Sequence, residues 1–427
     1  MIGVAALICT ACAAPTPTPT PTVTVTATPT TITAPTATTM PAATPTAPPT
    51  ATPVTRNLTI WVAEPPDAQS VVASELHRAA QIGDLHITIV PRDPDGLLIS
   101  LATDRLLGLP PPDLIWANQE ALVGLLADQV LAPLAIQLPD DLLPGLRTLA
   151  SSNNTLWGAP ITAQDMLLLL YQLDRTPPAT AADLVAAAQA ARTSERAGFV
   201  QGWGAARWLA PWFYAAGGAF TTPDGAEPTL DTPAMTTTLT LFRDLYRAAP
   251  RNGDSYARGQ RLLAQGFAAY AIDGDWAWPT YRAISDTFQI GIAPLPAFNG
   301  NPAQPLIGGS LLMRHRDGQA TPAEVAALAA TLYQPEVQLR LSAALGRLPA
   351  RRELLTDPSI QADPTRAAAA TQAATAPGLP PTPAARCAIF GVESYLYSAT
   401  TGDPPIKDAP ARMQREALAC LRQFAQP

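Results

Sequence analysis

The chain has 427 residues, of which 47% are hydrophobic and 14% charged, and a net charge of −7; it is long enough for two domains with ordinary cores. Basic residues are spread along the chain rather than clustered, which excludes the basic stripe of a nucleic-acid-binding surface. Lysine occurs once, at Lys407, against 26 arginines, a pattern of GC-rich coding and not of function.

The first 55 residues carry no charged side chain and divide at Cys12. Residues 1–11 are apolar and small, far short of the roughly 20 residues that span a bilayer, and Thr10-Ala11-Cys12 resembles the end of a bacterial lipobox. The expectation is a signal peptide over 1–11, cut before Cys12, whose thiol then carries a diacylglycerol. Cys9 stands where leucine is usual and no Lys or Arg precedes the apolar run, so a start further upstream is expected. The alternative is an incidental apolar beginning. Residues 13–55 hold 11 prolines and 18 threonines and no aromatic side chain. Such a segment cannot bury a core and reads as an extended, polyproline-like stalk, reaching at most about 130 Å at about 3.1 Å per residue. Its threonine density leaves O-glycosylation open.

Past the stalk, strands and helices alternate. Residues 58–63 (LTIWVA) predict a strand, and 67–82 a helix with Val71, Val72, Leu76 and Ala80 on one face, stopped by Gly83. Further strands follow over 85–90 and 113–117 (DLIWA), and a βαβ series of this kind predicts a mainly parallel sheet covered by helices. Ligands of such sheets sit outside the carboxyl ends of the strands. The near-continuous apolar run 166–171 fits a strand buried on both faces. Thr180 with Asp183, and Thr321-Pro322-Ala323-Glu324, read as capping boxes opening helices over 181–196 and 322–345.

Catalysis has no evident seat: there is no Gly-rich phosphate loop and no GxSxG elbow. No metal site is expected either, since no CxxC occurs and His77, His86 and His315 are scattered; no cofactor is expected. Cys9 leaves with the signal peptide and Cys12 is acylated on this reading, so Cys387 and Cys420 remain for the folded part. They read as a disulfide in an exported chain or as two buried free thiols.

The most informative stretch is 266–296, GFAAYAIDGDWAWPTYRAISDTFQIGIAPLP. A β-like run over 268–272 ends at Asp273-Gly274-Asp275, and Trp276, Trp278 and Tyr281 follow at once. A strand that stops at a glycine and presents rings on the next segment makes a flat apolar platform at a cleft mouth.

The GDWAW turn, the following IGIAPLPAFNGNPAQPLIGG and the earlier WLAPWFYAAGGAF resemble the corresponding segments of maltose-type periplasmic binding proteins, from about Leu58 to the C-terminus. That family comprises extracellular solute-binding subunits of ABC importers, which close on a sugar. The resemblance implies an α/β, two-lobed periplasmic-binding-protein-like (type II) fold, each lobe a mainly parallel sheet flanked by helices. The first lobe would comprise 56–163 and 311–358 and the second 165–307 and 360–427, with a hinge at the crossings and closure around a ligand as the expected motion. It also implies a monomer held at the cell membrane on its extracytoplasmic side by a lipid anchor, with permease subunits as partners.

Site residues follow one at a time. Trp276 matches the tryptophan of the family's GPWAW turn that stacks on a sugar, with Asp275 in place of the proline; without the family, a lone tryptophan is more often core. Asp165 falls where the family has a glutamate that bonds sugar hydroxyls, and reads otherwise as a solvated strand-edge acid. Trp116 lies near the family's first-lobe tryptophan, and Asn118, Gln119 and Glu120 stand where the family places an acid and an arginine. Glu64 follows the first strand, as a ligand contact or a helix-start acid. Arg207 or Trp208, and Phe390, would supply the remaining walls, with ordinary packing as the alternative.

Aromatic faces with carboxylates, amides and guanidinium groups, as in Trp276, Trp116, Asp165, Gln119 and Arg207, favour a neutral polyol over an ion. The function implied is capture of a carbohydrate, an oligosaccharide such as a maltodextrin, for an importer. Two other readings stay open: an extracellular glycoside hydrolase using Asp165 and Asp275 as its carboxylates, and a ligand sensor on the same fold.

Overall fold

A computed structural model describes residues 57–250, 255–284, 290–402 and 404–424. The signal peptide, Cys12 and the Thr/Pro-rich segment expected from the sequence lie outside the described residues. No helix among the described residues is long and apolar enough to cross a membrane.

Strand β1 (Asn57–Ala63), helix Pro66–Ile82 and strand β2 (His86–Arg92) form the βαβ unit that the periodicity predicts, and helix Leu97–Leu106 leads to β3 (Leu114–Asn118). β1 pairs in parallel with both β2 and β3, with Asn57 opposite His86 and Ile60 opposite Leu114. Helix Gln119–Ala127 and the short β4 (Leu131–Ala132) follow, then the hairpin of β5 (Ser151–Ser152) and β6 (Thr155–Leu156), β7 (Gly158–Pro160) and β8 (Thr162–Ala163). The chain then crosses into a second sheet of β9 (Leu167–Gln172), β10 (Ala197–Val200), β11 (Ala268–Gly274) and β12 (Ile290–Ala293), in the order β10-β11-β9-β12. It returns as β13 (Ser310–His315), which enters the first sheet between β3 and β4 and also pairs with β7. β14 (Leu348–Pro349) pairs with β8 beside the crossing.

The sheets are mixed, which corrects the expectation of mainly parallel ones. Helical crossovers give parallel pairing in the unit from β1 to β3 and again between β10 and β11. β13 arrives from the other lobe through Gly308 and Gly309 with no helix between, and runs antiparallel to β3, β4 and β7. In the second sheet only β10 and β11 are parallel; β9 opposes both β11 and β12.

The apolar run of β9 is buried on both faces, and its alternation divides the core. Leu168 and Leu170 belong to a cluster that continues into the first sheet, whereas Leu167 and Leu169 pack with Phe199 and Ile272 in a second cluster that includes Trp212, Phe242 and Val392. Two helices are shorter than their pattern. The helix from Ala181 ends at Ala191, because Thr193 Oγ1 accepts the N–H groups of Glu195 and Arg196 and turns the chain into β10. The region 322–345 is two helices, Pro322–Leu332 and Pro335–Leu345. Pro335 has no N–H to donate and holds Gln334 extended. The capping box at Thr321 and Glu324 is complete.

Helix Pro364–Ala373 is tied to the second sheet by Gln372, whose amide donates to the Leu167 carbonyl and accepts from the Leu295 N–H. Helices Pro383–Glu393 and Ala409–Phe424 are joined by a Cys387–Cys420 disulfide. Gly391 lets them approach: a Cβ there would lie 2.5 Å from the Met413 carbonyl oxygen.

Candidate functional site

The carboxyl ends of β1 and β3 and the entering end of β13 meet at the crossings between lobes. At that level a cleft of about 540 Å³ opens. Helix Gln119–Ala127 forms one wall, Arg207 and helix Pro383–Glu393 the other, and 306–308 the floor.

A chain of polar side chains crosses the cleft. Gln119 uses both ends of its amide, donating to Asp165 Oδ2 at 2.9 Å and accepting the Gly309 N–H at 2.9 Å. Asp165 sits on the crossing with φ of 67°, a left-handed conformation costly for a residue with a Cβ. Its N–H donates to Asp275 Oδ1 at 3.0 Å and its carbonyl accepts Arg207 Nη1 at 3.3 Å. Arg207 Nη2 reaches Glu120 on the opposite wall at 3.3 Å. Gly308 makes the meeting possible, since a Cβ there would lie 2.3 Å from Asp165 Oδ2 and 2.8 Å from the Gln119 amide nitrogen. The negative charge of Asp165 adds to the effect of burial on Asp275: its carboxyl is pushed up to about 7, first by burial and then by Asp165, against the opposing Arg207 charge and two backbone N–H bonds.

The other wall is set by helix Ala206–Ala215. Glu393 Oε1 accepts the Ala206 N–H at 3.0 Å, which joins helix Pro383–Glu393 to the start of that helix. The Arg207 guanidinium lies 5.0 Å from the centre of the Trp276 ring, a cation–π contact. Trp208 packs its ring edge-on against Trp276 and donates to the Ile272 carbonyl. Trp276 Nε1 donates to the Tyr256 hydroxyl at 3.1 Å, and Tyr256 in turn donates to the buried Asp273.

Of the residues singled out from sequence, Gln119, Glu120, Asp165 and Arg207 line one cleft. Trp276 stands behind Arg207 and is not among the lining residues, and Trp208 is buried behind Trp276. Two expectations are corrected more strongly. Trp116 has no exposed face at all and donates its indole N–H to Glu64 Oε1 at 2.8 Å. Glu64 is spent inside the first lobe on Trp116, on Ser310 and on both terminal nitrogens of Arg347, the last at 2.7 and 2.8 Å. Burial alone would raise its pKa; the bonds and charge of Arg347, with those from Trp116 and Ser310, outweigh burial and hold the carboxyl below the usual range. Oε1 takes three of these bonds and Oε2 one, and the buried carboxylate is not among the residues lining the cleft.

Phe390 is corrected as well. It is half-exposed and outside the lining, whereas Arg386, Ile389 and Glu393 of the same helix, spaced at one helical face, point into the cleft. The walls are therefore aliphatic and proline-rich, with Val123, Leu306, Leu379, Pro380 and Pro381 where aromatic faces were expected. Sequence reasoning missed Arg347, Glu393 and Gly308. The adjacent glycines of PLIGG were the one available signal. Asp275 does not line the cleft, so it and Asp165 do not face each other across it.

The sequence over residues 101–368, more than half of the chain, matches the family described as bacterial extracellular solute-binding protein. The chain belongs to this family. Membership carries with it an extracytoplasmic place of action. Among solved structures, the chain is similar in fold to a cyclo/maltodextrin-binding protein complexed with maltotetraose, at 20% identity and a TM-score of 0.75, covering 87% of this chain and 97% of that one. It is similar likewise to a maltose-binding periplasmic protein of Listeria monocytogenes in complex with maltose, at 19% identity and a TM-score of 0.75, covering 86% and 98%. A maltose/maltodextrin-binding domain of Bdellovibrio bacteriovorus bound to maltotriose gives 22% and 0.65, covering 86% and 100%. At these identities the likeness speaks for the two-lobed fold of this solute-binding protein. No curated protein matches the sequence significantly.

Proposed function

We propose that this solute-binding protein captures a carbohydrate, an oligosaccharide such as a maltodextrin, in the cleft between its lobes and delivers it unchanged to an ABC permease. In this reading 56–163 with 311–358 and 165–307 with 360–427 are the lobes, and Cys12 carries the lipid that holds the protein outside the cell membrane. The observation that carries the proposal is the cross-cleft chain Glu120–Arg207–Asp165–Gln119. Carboxylate, guanidinium and amide groups are the set that satisfies vicinal hydroxyls with paired hydrogen bonds. The aliphatic walls suit the C–H faces of a ring. Because the chain links both lobes, a solute that exchanges its hydroxyls for these bonds favours the closed state through its differential affinity. The sugars in the similar solved structures support the same class.

The test is intrinsic tryptophan fluorescence titrated with mono- and oligosaccharides, with amino acids and polyamines as controls. Trp276, 37% exposed and stacked against Arg207, is the expected reporter. A saturable change with one carbohydrate class is expected. Silence across the sugars with a response to a control class would overturn the ligand, and release of shorter sugars would overturn the binding-only role.

A further inference from the structure

Four exposed aliphatic side chains gather on the edge of the first sheet remote from the cleft. Ile82 (69% exposed) ends the helix before β2 and Leu106 (88%) the helix before β3, with Leu107 (68%) and Leu109 (49%) on the loop that follows it. Parallel pairing of β1 with β2 and β3 puts the starts of all three strands on one edge, as Asn57 opposite His86 and Ile60 opposite Leu114 show. Gln119 and the cleft lie at the other. The residues from Arg105 to Pro110 are exposed without a break. At the tip of the loop Gly108 has φ of 68°, and nothing lies within 4 Å of where its Cβ would be, so the loop projects rather than lining a groove.

We propose that this edge is a bilayer-contacting surface, with Leu106, Leu107 and Leu109 inserting at the headgroup–acyl boundary. Contiguous exposed apolar side chains mark an interaction surface, and a projecting aliphatic loop suits the lipid interface better than it suits a recessed protein site. Asn57, the first described residue, with 56 residues before it in the sequence, stands on the same edge. The charges nearby are of both signs, with Arg105 and Arg316 against Asp84, Asp128 and Asp317, all exposed. Apolar burial rather than electrostatic attraction therefore drives the contact.

The experiment uses the chain from residue 12 onward carrying Cys12→Ser, so that neither the apolar residues 1–11 nor an acyl chain accounts for attachment, sedimented with vesicles of equal parts phosphatidylcholine and phosphatidylglycerol. Leu106→Ser/Leu107→Ser/Leu109→Ser in the same background should reduce binding roughly tenfold or more, as loss of three partly buried leucines implies. Binding of the parent should vary little with salt, and Leu173→Ser, at an exposed leucine elsewhere, should bind like the parent. An unchanged thermal transition shows that the triple variant folds, and Leu106→Asp alone serves if it does not. Absence of binding by the parent, or equal binding by the variant, overturns the proposal. Attachment that needs membranes containing a permease, and is lost in the variant, overturns it in favour of a protein partner.

Discussion

Replacing Arg347 by leucine should destabilise the protein more than any change at the cleft surface. The substitution removes both guanidinium bonds to Glu64, at 2.8 and 2.7 Å, and a third to Ser310 Oγ at 3.0 Å. The Glu64 side chain is 5% exposed, so water cannot take the vacated place, and the carboxylate keeps only Trp116 and Ser310. Removing one partner of a buried pair in this way costs about 3–5 kcal/mol. The pH dependence follows from the sign of the shift. In the parent, Glu64 titrates below its unfolded value, so its stabilisation is present above the unfolded pKa and is lost as pH falls through the folded one. In the variant burial is no longer outweighed and the carboxyl moves up, so acidification relieves the penalty and narrows the gap to the parent. Urea unfolding followed at neutral pH and again near the carboxylate range reads both effects. Glu64→Gln combined with Arg347→Leu should recover part of the loss, because no charge is left buried. A loss under about 1 kcal/mol for Arg347→Leu, or a gap that widens on acidification, would refute the account.

Asp275 behaves in the opposite sense. Its pKa is raised from 3.8 to about 7, so the stability it contributes is full below the unfolded value and lost as pH rises through about 7; Asp275→Asn should flatten the melting temperature across that window, and an unchanged slope would exclude Asp275 as its source. Replacing Cys387 and Cys420 together by serine opens a loop with a sequence separation of 33, for which chain entropy predicts a loss of about 3–4 kcal/mol; calorimetry of the two forms checks this, and equal stability would contradict it. Trp276→Ala removes the ring against Arg207 and should weaken ligand binding about tenfold, about 1.4 kcal/mol, whereas Phe390→Ala should leave affinity unchanged. Titration calorimetry with the responsive sugar decides, and equal losses in the two variants would mean that the cleft wall is misassigned.

Local order was legible because it depends on neighbours in sequence. The periodicity of 67–82, the stop at Gly83, the helix start at Pro322 with its capping pair Thr321 and Glu324, and the two-faced burial of β9 each follow from residues a few positions apart. The interruption at Pro335 is legible by the same logic. The similarity of the GDWAW and PLIGG segments carried the fold class, and with it the placement of Gln119, Glu120, Asp165 and Arg207 at the crossings.

What only the tertiary structure decided is which way the polar and aromatic groups turn. Glu64 just past β1 and Trp116 within β3 are positions that sequence suits to a solute, yet Arg347, 283 positions away from Glu64, supplies a cation that draws the carboxylate inward. Trp276 follows a turn that advertises a platform, but Arg207 and Trp208 occupy its surroundings. On helix Pro383–Glu393 the choice between Phe390 and its neighbours rests on the helix's rotation about its own axis, which the Cys387–Cys420 bridge and the close approach at Gly391 set. The chain by itself determined the elements and the family, because propensity, capping and pattern act within a few residues. Burial of a charge or a ring is decided by partners that only folding brings together.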